Sequence, residues 1–99
     1  MPSCGGAKFV AGMSQAAVLE VEPKGPAVFG RATLSPRARE GKFRQVSFLV
    51  GTEFPFDAPS VDWAFQASDG GPLWVVVAFE EHRVRSVSCA TMKRREVQP

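Results

Sequence analysis

Apolar positions are densest at Leu73-Trp74-Val75-Val76-Val77-Ala78-Phe79, seven residues with no polar interruption. Three valines in a row and two aromatics fit a pleated, packed surface better than a helix, so the run predicts a strand. Neighbouring side chains of a strand point to opposite faces. A strand apolar at every position needs cover on both faces, and this run is expected at the centre of the fold. Upstream, Val61, Trp63, Phe65 and Ala67 alternate with Ser60, Asp62, Ala64 and Gln66. That period of two predicts a strand with one face in the core and one wetter. Ser68-Asp69-Gly70-Gly71 between the two runs has hairpin-turn chemistry.

After the central run, Glu80-Glu81-His82 reads as a tight turn, and Val84, Val87, Cys89 and Thr91 continue as a strand. Apolar parity slips between Val84 and Val87, which predicts a bulge near Arg85-Ser86. Earlier in the chain, Ala16 to Glu22 reads as a strand, with Ala17, Leu19 and Val21 on one face and Val18, Glu20 and Glu22 on the other. The turn residues Pro23-Lys24-Gly25-Pro26 would return it as a hairpin into Ala27–Leu34. Lys8–Ala11 suits a short edge strand and Lys42–Val50 a longer one. Between these, Ser35 and Pro36 can open a short helical turn that Gly41 ends. Gly51 to Pro59 carries two prolines and reads as a loop. The pattern predicts an all-β fold: a small antiparallel barrel, or a strongly curled sheet or sandwich, of six to seven strands with at most one short helical turn. Residues 1–6 are expected as a loose leader, 7–92 as a single β domain and 93–99 as a polar basic tail.

A chain of 99 residues suits one domain, and 44% hydrophobic with 22% charged residues is ordinary composition. The seven-residue apolar run is far too short for a membrane-spanning helix, and the first residues show no basic stretch followed by an apolar one. A cytoplasmic protein without a membrane partner is expected, with its two cysteines, Cys4 and Cys89, as a reduced pair in preference to a disulfide, which two cysteines also allow. The net charge of +2 is unevenly spread. Residues 1–44 carry seven basic and three acidic groups, residues 45–82 six acids and no Lys or Arg, and residues 83–99 five basic groups and one acid. An acidic middle pairing with basic flanks, within one fold or across an oligomer, accounts for this.

Candidate chemistry is sparse. His82 is the one histidine, and no serine or cysteine carries a recognisable nucleophile motif beside it. One His and two distant Cys make no spaced metal set, and there is no Gly-rich phosphate loop. No catalytic residue, metal site or cofactor is expected. In Glu53-Phe54-Pro55-Phe56-Asp57, the phenylalanines either rim a pocket with Asp57 as a polar anchor and His82 nearby, or plug one end of the fold. Arg37, Arg39, Arg44, Arg94 and Arg95 could bind nucleic-acid phosphates. The modest charge and the lack of exposed aromatics for stacking favour solvated faces instead. The leading reading is a non-catalytic binding or interaction module, with a small-molecule or enzymatic barrel and a nucleic-acid-binding domain as alternatives. A homodimer through Trp74, Val76 and Ala78 is expected, because little else in the chain is available to cover that face. A small-molecule ligand or a protein partner is the other expectation.

Overall fold

The computed structural model describes residues 8–34, 44–50, 55–67, 73–92 and 96–97. The leader, the candidate helical turn at 35–41, the Ser68–Gly71 turn and Phe54 lie outside the described residues. One helix and six strand segments follow in chain order: α1 (Gln15–Val21), β1 (Val28–Leu34), β2 (Arg44–Val50), β3 (Asp62–Gln66), β4 (Leu73–Glu80), β5 (Arg83–Met92) and β6 (Glu96–Val97).

Residues 16–22 are the main departure from the sequence pattern. Ala17/Leu19/Val21 alternation mimics a strand, yet the segment is helical. Ser14 caps it by accepting a hydrogen bond from the Ala17 N–H at 3.1 Å. Two alanines, a leucine and a glutamate follow, all good helix formers. The helix buries one side, with Val18 fully inside, and leaves Val21 39% exposed. Gly25, at φ 79°, turns the chain back toward β1 after Pro23. The predicted hairpin of 16–22 with β1 is therefore absent. Lys8–Ala11 is likewise not a strand: Phe9 is buried and packs on Phe65 with ring centroids 5.2 Å apart.

β1, β3, β4 and β5 form a four-stranded antiparallel sheet in that order, not closed on itself. These four are fewer than the six to seven antiparallel strands expected: one expected strand is α1, another is coil, and the one expected at Lys42–Val50 is β2, whose pairing is mixed. β2 pairs antiparallel with β1 (Arg31↔Leu49 to Leu34↔Val46) and parallel with β5 (Arg44↔Ala90 to Val46↔Met92). The two residues of β6, which the sequence places in the polar tail, pair parallel with β2. Residues 44–47 are polar except for Val46 instead of forming the continuous apolar run of a strand in a parallel sheet, so the sequence pattern does not show the parallel pairing of β2 with β5.

β4 lies between β3 and β5, and Val75, Val76 and Val77 are all buried. Its odd-numbered residues join Val61, Trp63, Phe65, Ala67 and Val84 in the main core, under α1 and Phe9. Its even-numbered side faces a second, smaller cluster of Ala64, Val76 and Ala90, with Val28, Ala32 and Trp74 against it. Val76, expected at a dimer interface, is only 6% exposed within one chain, while Trp74 and Ala78 are half-buried. Part of the apolar cover on this side thus comes from the chain's own residues.

Cys89 is disulfide-bonded, where a reduced cysteine was expected. Disulfides persist in oxidising surroundings, so the pairing removes one ground for an intracellular reading. Among the described residues, no helix is long and apolar enough to cross a membrane.

Candidate functional site: a crevice around Asp62

The register of the sheet puts Gly30 on β1, Asp62 on β3, Ala78 on β4 and Ser86 on β5 in one row. They continue the face of Ala64 and Val76, but the row opens where the apolar cluster ends. A crevice of about 260 Å³ lies here, bordered by Arg31, Ser60, Asp62, Phe79, Glu80 and Arg85, with the Gly30 backbone in its wall.

Asp62 is half-buried, and its Oδ2 accepts a hydrogen bond from the Ala32 N–H at 2.8 Å. Burial pushes its pKa above the ordinary carboxylate value, because desolvation disfavours the charged form. The Ala32 N–H, then the Arg85 and Arg31 guanidiniums, pull it partly back. Gly30, directly opposite Asp62, adopts φ 147°, a conformation that a side chain would strain.

Arg85 reaches the crevice through a break in the β4–β5 ladder. Ala78 faces Ser86 while Phe79 faces Val84, so Arg85 is the extra residue of a bulge. Bulges re-aim a side chain and recur beside binding sites. This is the parity slip between Val84 and Val87, found where the sequence places it. Its use was not foreseen: Asp62 read only as the wet side of an alternating strand.

Phe56, Asp57 and His82, singled out in the sequence, do not border this crevice. Phe56 stacks on the fully buried Trp63, with centroids 4.9 Å apart and planes 3° from parallel, and meets Phe29 edge-on at 6.0 Å. The Phe56 carbonyl accepts from Trp63 Nε1 at 2.8 Å. Phe56 thus covers a core aromatic, while Asp57 is exposed on the same turn. His82 sits in the β4–β5 turn at φ 67°, beside Glu81 at φ 55°. Gln15 Nε2 donates to the Ala58 carbonyl at 2.9 Å, which turns its Oε1 toward His82 Nδ1 at 3.1 Å. An amide oxygen only accepts, so Nδ1 carries the proton. The His82 ring ties α1 to the hairpin turn. Arg37, Arg39, Arg94 and Arg95 lie outside the described residues, and Arg44 opens β2 by pairing with Ala90. Among the described residues, no group of three or more His, Cys, Asp and Glu is placed to hold a metal.

No family model, curated protein or solved structure matches the chain.

Proposed function

We propose that the chain is a non-catalytic binding module that takes a small polar ligand in the Asp62 crevice. The observation that carries this reading is a half-buried carboxylate, fixed by the Ala32 N–H, beside an arginine that a bulge directs to it. Burying a carboxylate costs free energy unless a partner compensates. Retaining one at the rim of an apolar cluster, where alanine would pack, is consistent with a ligand completing the site. A catalytic reading has less support, since the His82 ring is engaged by Gln15 rather than by a nucleophile.

The proposal takes the sheet to be strongly curled, nearer a barrel than a sandwich. Pairing of β2 with both β1 and β5 supports this, as do the small side chains Ala32, Ala64 and Ala90 on the crevice side.

The test is a thermal-shift screen of small polar compounds against the full chain and its Asp62→Asn variant. A ligand present at 100 times its Kd adds about 2.7 kcal/mol of stability, a rise that is plain in the melting curve. We expect hits whose effect disappears in Asp62→Asn. Hits that persist in the variant, or a library with no hits, would refute the reading.

A further inference from the structure

Resting on the reading above, we propose that the crevice selects small zwitterions, ligands carrying an ammonium and a carboxylate a few carbons apart, as free amino acids do. Two carboxylates, Asp62 and Glu80, and two guanidiniums, Arg31 and Arg85, border one small space. A simple anion drawn to Arg85 also meets the Asp62 and Glu80 carboxylates. A simple cation drawn to Asp62 meets the guanidiniums. A ligand with both charges, its ammonium toward Asp62 and its carboxylate toward Arg85, gives each charge a partner of opposite sign, and its net neutrality offsets the like charges that either single ion meets. Ser60 and Phe79 complete the wall, and with Phe79 buried in the main core the crevice offers no large apolar surface. The volume of about 260 Å³ lies below the range of pockets that hold drug-sized molecules.

Charge alternation at this site has a structural origin. Asp62 and Glu80 come from β3 and β4, whereas Arg85 arrives only because β5 carries one extra residue. In an unbulged strand Arg85 would occupy an ordinary ladder position, and its charge would not be re-aimed at Asp62.

The experiment is an amide NMR titration of the full chain with glycine, β-alanine and γ-aminobutyrate, alongside acetate and methylammonium as single-charge probes. We expect at least one zwitterion to shift the Ala32, Asp62 and Arg85 amides with a Kd about tenfold below either single-charge probe. Asp62→Asn and Arg85→Gln should each lose that preference while keeping the dispersed spectrum of the folded chain. Acetate or methylammonium binding as tightly as the best zwitterion would overturn the ligand class yet leave a polar-ligand crevice standing. No shift at these amides from any probe would also overturn the zwitterion inference. The broader reading would then survive only on a different hit from the screen that Asp62→Asn abolishes.

Discussion

Gln15 is the buried polar side chain on which three separate segments converge. Its Nε2 bonds the Ala58 carbonyl and its Oε1 faces His82 Nδ1, while its own N–H donates to the His82 carbonyl at 3.1 Å. Its side-chain partners are not buried, Ala58 being half-buried and His82 exposed, so each lost hydrogen bond costs about 0.5–1.5 kcal/mol. Gln15→Ala is therefore expected to destabilise by about that much per bond, measured by urea unfolding with an unchanged m-value; a loss below a few tenths of a kcal/mol would contradict the role. Asp62 makes the opposite kind of prediction. Its folded pKa is raised, so the native state holds the proton more tightly than the unfolded chain. That contribution is fully present below the ordinary Asp value and is lost as pH rises through the raised one. Asp62→Asn should thus gain stability relative to the parent as pH climbs through this window, and parallel stability–pH curves would contradict the shift. None of this was legible in the sequence. Gln15 and Asp62 each sit among polar neighbours, and their burial follows from elements distant in the chain.

At the scale of elements, legibility followed how unambiguous each local pattern was. The unbroken apolar run of β4 and the alternation through β3 can hardly be anything but strands, and both are. The bulge in β5 was readable because one inserted residue shifts every apolar position after it. The segment at 15–21 was not, since seven residues hold just under two helical periods, too few to outweigh a chance alternation of period two. The deciding signal was Ser14, whose side chain holds the first turn. Ser14→Ala should cost about 1 kcal/mol, read from the unfolding midpoint. The β4–β5 turn offers a complementary test. Glu81 and His82 both hold positive φ, where side chains of L-residues crowd the backbone. Glu81→Asn should raise stability by about 0.5–1 kcal/mol, because asparagine tolerates that region better and suits this two-residue hairpin turn. A neutral or destabilising result would mean that the Glu81 side chain does something the backbone argument omits.

For the whole molecule, the even-numbered side of β4 finds part of its cover within the chain: Val76 is buried, while Trp74 and Ala78 are half-buried. The sequence pattern left little to cover that side, short of a second sheet packed on it; β1 and β5 bring Val28, Ala32 and Ala90 to it. Trp63 shows how tightly the other side is filled: it is fully buried, meets Phe79 edge-on at 4.5 Å and lies under Phe56. Trp63→Ala should cost about 3–5 kcal/mol, which would leave many domains of this size largely unfolded. The disulfide at Cys89, which packs against this core, adds a covalent constraint to it. The denatured, unreduced chain, with two cysteines in all, should show no free thiol.

What joins these scales is a single link, from the extra residue in β5, through the guanidinium it redirects, to a half-buried carboxylate. The most direct test is a carbon-detected NMR titration of the Asp62 carboxyl in the parent chain and in Arg85→Gln. The structure requires a midpoint above the ordinary aspartate value in the parent and a further rise in the variant, because Arg85 favours the charged form. A midpoint at or below the ordinary value, unmoved by Arg85→Gln, would contradict both the burial of Asp62 and the aim of the bulge.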